Sequence, residues 1–249
     1  MAQMRAQKSI CAAAVAALLM PATVQAASLK VYPVRVVLTA NEPVQTMKIQ
    51  NGEAAPVRVQ LRVFSWHQEN GKDLFEETRD VLANPGLFEI AAGGEQIARF
   101  GLRTNLGAAE KSYRVFLEEI PDSRPSEPGK VRTLLRISIP IFASVPNAAG
   151  RLNWRTWASG PGTQTFSVVN QGTAHVQINR LAIMRADGMK LGASDLSAYL
   201  LPGASQKITV KIDAPVHPGE LVKLNAVTDQ GTLTDVLTNE AGPHEADHL

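Results

Sequence analysis

The residues able to do chemistry are few and poorly spaced for it. Five histidines stand at His67, His175, His217, His244 and His248. Only His244 and His248 lie close together: on a helix their i, i+4 spacing, with Glu245 and Asp247 between, could grip a metal ion. They belong to a polar chain end, so no metal site is expected there, and no cofactor is expected anywhere. No G-x-S-x-G elbow, P-loop or G-x-G-x-x-G follows a strand pattern, and Ser, His and acidic residues show no spacing that commits to a triad. Glu118 and Glu119 are neighbours, so on a strand they face opposite sides and cannot act as a carboxylate pair. The chain reads as a protein that is not an enzyme.

The segment Val131 to Phe142 carries a different chemistry. Its odd positions, Val131, Thr133, Leu135, Ile137, Ile139 and Ile141, form a nearly unbroken apolar face over roughly 35 Å at the usual strand rise. Pro140 has no N–H for a ladder bond, which places the strand at a sheet edge. Such an edge offers backbone groups and apolar knobs to another protein by β-strand addition; an ordinary strand feeding its own core fits the same pattern.

The elements that must position these residues are short, β-branched, alternating runs cut by Gly, Pro and Asn, the pattern of an all-β sandwich. Strands are expected at Leu29 to Leu38, Val44 to Gln50, Val57 to Trp66, Leu87 to Ile90, Gln96 to Leu102, Ser112 to Glu119 and Val131 to Ala143. Asn51-Gly52, Asn70-Gly71, Asn84-Pro85-Gly86 and Gly93-Gly94 mark the reversals. That is one immunoglobulin-like domain, 27–145. After a small-residue linker at 146–150, a second β-sandwich is expected over 151–241, with strands at Gln164 to Asn170, Ala174 to Arg185, Gln206 to Ile212, Glu220 to Thr228 and Leu233 to Leu237. A polar tail, 242–249, completes the chain.

Composition agrees with a folded chain: 249 residues, 45% hydrophobic, 19% charged. The net charge of +2 is the excess contributed by Arg5 and Lys8 near the N-terminus, so a nucleic-acid partner is not expected. Those two cations precede the apolar run Ile10 to Met20, and Val24-Gln25-Ala26 has the small residues of a cleavage site, so residues 1–26 read as an export signal. The run is too short for a membrane span. Cys11, the single cysteine, lies within it, so the exported protein is expected to have no disulfide.

Several stretches together resemble the periplasmic chaperones of the chaperone-usher pathway. They are Val34-Arg35-Val36-Val37-Leu38, Ile49-Gln50-Asn51-Gly52, Phe64-Ser65-Trp66, Gly93 to Arg99, Tyr113 to Pro121, Pro140-Ile141-Phe142, Val168-Val169-Asn170-Gln171-Gly172 and Leu200-Leu201-Pro202-Gly203. The resemblance implies an all-β fold of two immunoglobulin-like domains in a boomerang and a periplasmic location. Its partners would be pilus subunits (pilins), each an incomplete sandwich whose groove the chaperone fills, and an outer-membrane usher. The donor residues would be Val131, Thr133, Leu135, Ile137, Ile139 and Ile141.

The resemblance also implies a cationic anchor for the subunit's terminal carboxylate. Arg35 matches the arginine of the first strand, and a guanidinium fork binds both carboxylate oxygens. The lysine expected on the long strand falls near Pro140, leaving Arg132 and Arg136 as other sources of charge. The arginine expected before the linker is Val145, although Glu119 and Asp229 sit where its acidic partners are expected. These departures, with the polar, Pro-rich loop 121–129, suggest an archaic branch associated with spore-coat-U-like pilins. The alternative function is a secreted two-domain adhesin or carbohydrate-binding module, for which exposed aromatics would be the sign.

Overall fold

The computed structural model describes residues 29–121 and 133–243, and every regular element among them is a strand. The export signal, Val131, Arg132, most of the 121–129 loop, His244 and His248 lie outside the described residues.

The first domain is a sandwich of two sheets. One has the order β1 (Leu29–Tyr32), β3 (Val44–Asn51), β8 (Glu95–Leu102), β6 (Val81–Asn84). The other runs β2 (Val36–Leu38), β10 (Arg136–Ala143), β9 (Lys111–Ile120), β4 (Val57–Glu69), β5 (Lys72–Glu77), with β7 (Leu87–Ile90) also on β4. Alternation in the sequence decides what goes inside. Met47, Ile49, Ala98 and Phe100 from one sheet meet Val59, Leu61, Val115, Leu117, Ile139 and Ile141 from the other, all buried. Burying each large side chain contributes about 1.5–3 kcal/mol. Asn70 and Gly71 both take left-handed backbone, with φ of 50° and 72°, which makes the tight hairpin from β4 into β5.

The second domain has the strand order β14 (Lys190–Leu200), β13 (Val176–Arg185), β16 (Leu221–Thr228), β17 (Gly231–Glu240), β11 (Leu152–Gly160), β12 (Thr163–Asn170), β15 (Ser205–Lys211). β17 and β11 share only the parallel pairs Thr156–Asn239 and Trp157–Glu240. The sheet therefore folds over at that point. Phe166, Val168 and Val210 on one side pack with Ile178, Leu181, Ile183 and Leu224 on the other.

Between the domains the chain is stitched to the second one. Ala149 O accepts from Thr173 N at 2.8 Å, Arg151 N donates to Asn170 Oδ1 at 3.1 Å, and Gln171 N donates to Arg151 O at 2.7 Å. Gly172 lies so close beneath that an added Cβ would sit 2.2 Å from Ala149 O. Asn170 and its first-domain counterpart Asn51 are fully buried and use their side chains alike, each donating to two or more backbone carbonyls and accepting a backbone N–H two residues on.

Candidate functional site

The strand expected to begin at Val131 begins at Arg136, and its environment changes along its length. β2 pairs with it only at Ile141–Ala143, in parallel, whereas β9 pairs with it throughout. Glu119 N donates to Leu135 O at 2.9 Å, so the odd positions bond towards β9 and the even ones face away. Ser144 N, an even position, accordingly donates to Leu38 O, on the β2 side. From Arg136 to Pro140 that outward side has no partner strand among the described residues. It offers the N–H groups of Arg136 and Ser138, and Pro140, itself buried, costs no ladder bond because β2 pairs only from Ile141 onward.

Side chains follow the same parity. Ile139 and Ile141 are 2% and 0% exposed, inside the first domain's own core, and Ile137 packs on that core half-buried. Leu135 is half-buried and Thr133 exposed. Of the expected donor face, the described part that is not already committed to the domain's own core is Thr133, Leu135 and the outer portion of Ile137.

The even positions share their face with Arg114, Phe116 and Glu118 of β9 and with Arg62, Phe64 and Trp66 of β4, through registers such as Pro140–Arg114–Phe64. Arg136 lies 4.2 Å over the Phe116 ring and 3.0 Å from Glu118, which also pairs with Arg62 at 3.1 Å. Phe64 and Phe75 each meet Phe116 edge-on. The result is a cationic, aromatic sheet face that leads to the second domain.

Arg114 is the residue that sequence reasoning missed. Its guanidinium stacks 3.9 Å over Trp66 and 5.1 Å from the Tyr199 ring, which comes from the second domain. Its Nε is buried and has no hydrogen-bond partner among the described residues. Burial lowers its pKa, partly offset by Tyr199 and Asp73, yet an arginine stays charged. It faces a small cavity of about 180 Å³ lined also by Gln68, Asp73, Tyr199, Ser205 and Gln206. An under-satisfied cation against a polar cavity is suited to an anion. The available signal was its place in Tyr113-Arg114-Val115, where the strand's alternation puts a charge opposite the core face.

Arg35 is placed elsewhere. On the bend between β1 and β2, its Nη1 donates to Asp229 Oδ2 at 2.7 Å and its Nη2 to Gln177 Oε1 at 2.6 Å, both in the second domain. Burial opposes its charge, but Tyr199 and Asp229 outweigh that and raise its pKa. Asp229 is thus an acidic partner at the domain junction, as expected. Glu119 is not: it accepts from Leu135 N, and the first-domain carboxylate at the junction is Glu110, just before β9. No arginine before the linker is needed, because His175 stands between Glu110 and Asp229. Around them Trp66, Phe142, Leu201 and Ala204 form an apolar seam, and Gln68 clamps the second domain by donating to Tyr199 O and accepting from Leu201 N.

The three tryptophans are 3%, 7% and 5% exposed at Trp66, Trp154 and Trp157, so none forms the open aromatic platform that a carbohydrate-binding module would present. Together, the paired sandwiches define an all-β protein of two immunoglobulin-like domains, with a half-open edge strand and a cationic face on the first. Residues 28–148 match the family described as pili and flagellar-assembly chaperone, PapD N-terminal domain, and the first domain of this chain belongs to that family. No curated protein matches the sequence. Solved structures share the fold over both domains. A chain of the complex of the chaperone CsuC with the tip adhesion subunit CsuE, from the archaic chaperone-usher Csu pili of Acinetobacter baumannii, is 23% identical with a TM-score of 0.64, covering 86% of this chain and 99% of that one. A chain of the Salmonella enterica SafA pilin complex with the SafB chaperone is 17% identical with a TM-score of 0.58, covering 86% and 99%. The E. coli chaperone DraB is 18% identical with a TM-score of 0.55, covering 87% and 100%.

Proposed function

We propose that this protein is a periplasmic chaperone that holds incomplete pilus subunits by lending them the open edge of β10, and then passes them to an outer-membrane usher. The observation that carries this reading is the unpartnered stretch Arg136–Pro140 lying beside Arg114 on one sheet face. A subunit lacking its last strand exposes apolar groove and unpaired backbone, and an edge strand satisfies both until another strand replaces it.

The terminal carboxylate of the subunit is assigned to Arg114. Arg35, the positional match to the family's anchor, already spends both terminal nitrogens on Asp229 and Gln177, so a carboxylate there would have to displace them. Arg136, and Arg132 further along, supply secondary charge. The test is co-expression with a pilus subunit from the same organism and recovery of the complex. Arg114→Gln should fold normally and lose most of the subunit. Unchanged recovery with Arg114→Gln, and loss with Arg35→Gln in a protein of normal stability, would return the anchor to Arg35.

A further inference from the structure

We propose that His175 is a proton-operated latch between the two domains, closed when the imidazole is charged and loosened when it is neutral. This goes beyond the chaperone reading and does not depend on it.

The geometry is that of a cation placed between two anions at a junction. His175 precedes β13, and its Nδ1 lies 2.6 Å from Glu110 Oε1 of the first domain. The same carboxylate oxygen accepts the His175 backbone N–H at 3.0 Å, while its partner oxygen accepts from Ser144 Oγ at 3.1 Å. The Glu110 side chain is only 2% exposed, so little water can stabilise its charge. On the other side of the ring, Nε2 lies 3.4 Å from Asp229 Oδ2, an ion-pair distance outside hydrogen-bond geometry. The ring itself stacks on Phe142 of β10 with centroids 3.4 Å apart and planes 4° from parallel.

The charged and titratable groups facing the imidazole come from every neighbouring element: Glu110 before β9, Asp229 in the β16–β17 turn, Arg35 from the β1–β2 bend, and Tyr199 of β14 with ring centroids 6.0 Å apart. Arg35 partly neutralises Asp229, but among these groups Glu110 has no other cation. Protonated, His175 carries an N–H on both nitrogens, donates to Glu110 and balances the charge of Asp229 at ion-pair distance. Neutral, it keeps one N–H. The short contact to Glu110 holds that proton on Nδ1, and the Nε2 lone pair then faces the Asp229 carboxylate. Glu110 keeps its hydrogen bonds but loses the counter-charge that spans the junction.

The direction in pH follows. Burial alone would disfavour the imidazolium, yet Asp229 and Glu110 outweigh it and raise the His175 pKa above its ordinary value. A group raised in the closed state contributes its stabilisation below its ordinary pKa of about 6.5 and loses it as pH rises through the closed-state value. The latch is therefore tight in acid and loose in alkali.

Glu110 N donates to Thr173 O at 2.9 Å across the junction, so its amide exchange reports the closed state directly. In the intact protein, after correction for intrinsic rates, its protection factor should fall severalfold between about pH 5.5 and 8.5, as the imidazole loses its proton. Val115, in the first-domain core, should not change. In His175→Gln the Glu110 protection should no longer depend on pH. A constant wild-type value, or an equal fall in His175→Gln, overturns the proposal. Should the variant misfold, the titration of the His175 ring in the wild type decides: a midpoint above 6.5 supports the latch, and one at or below it refutes it.

Discussion

At the scale of single residues, the cleft depends on charges that the fold leaves unevenly balanced. Arg114 is partly buried against Trp66 with Asp73 near it but no carboxylate in ion-pair contact among the described residues, so the fold gains little from its charge. Arg114→Gln should accordingly change stability by about 1 kcal/mol or less, while weakening subunit capture by about tenfold or more, the scale of a charge-assisted hydrogen bond. Denaturation and co-purification measure the two effects separately. Asp229 is the opposite case. Burial would raise its pKa, but the neighbouring His175 and the hydrogen bonds from Gln177 N and Arg35 bring it down to about 2. A depressed carboxylate stabilises the fold above its ordinary pKa and loses that contribution as pH falls towards its folded value. At neutral pH this is worth about 2 kcal/mol, so Asp229→Asn should lower urea stability clearly at pH 7 and hardly at all near pH 2.

At the scale of elements, β10 does two jobs along one strand, and substitutions should separate them. Ile139→Ala empties a site that is 2% exposed and should cost about 2–4 kcal/mol. Leu135→Asp, at a half-buried site before the strand begins, should leave melting nearly unchanged and abolish subunit recovery. Recovery at the wild-type level would remove Leu135 from the donated segment. The side of β17 that β11 leaves uncovered before Asn239 is protected. Asp235 shares its parity with core-facing Leu237 yet is exposed, a charge that discourages pairing along β17. Much of this was legible in the sequence, because strict alternation and Gly- or Asn-marked turns are local signals: β3, β8, β9, β12, β15 and β16 fall where expected. β5, β6, β11 and β14 were missed. β14 carries Gly192, Ala193 and Ser194 and has little strand propensity of its own; it is held by pairing with β13 through two register shifts. The junction was legible only in part for a related reason. Glu110 and His175 are 65 residues apart, and no periodicity announces a contact made by folding.

At the scale of the whole molecule, the linker is not a free tether, since Ala149 and Arg151 are bonded into the second domain over Gly172. Gly172→Ala would drive a Cβ into Ala149 O and Arg151 N, at 2.2 and 2.5 Å, so the backbone must give way. The expected result is a loss of about 2 kcal/mol or more and a broader, less cooperative thermal transition, read by calorimetry. A longer-range consequence lies in β10 itself. Its first half is the open edge, and its last turns towards the seam with Phe142 stacked on His175. From Arg136 to Phe142 is about 20 Å of continuous backbone at the usual strand rise, stiffened by β9 all along. The strand is therefore a lever with a load at each end, and reciprocity requires that whatever tilts one end be felt at the other. A subunit zipped onto Arg136 and Ser138 should slow exchange of the Glu110 amide in the seam. In Phe142→Ala, where the lever has lost its grip on the second domain, that slowing should vanish while the subunit still binds.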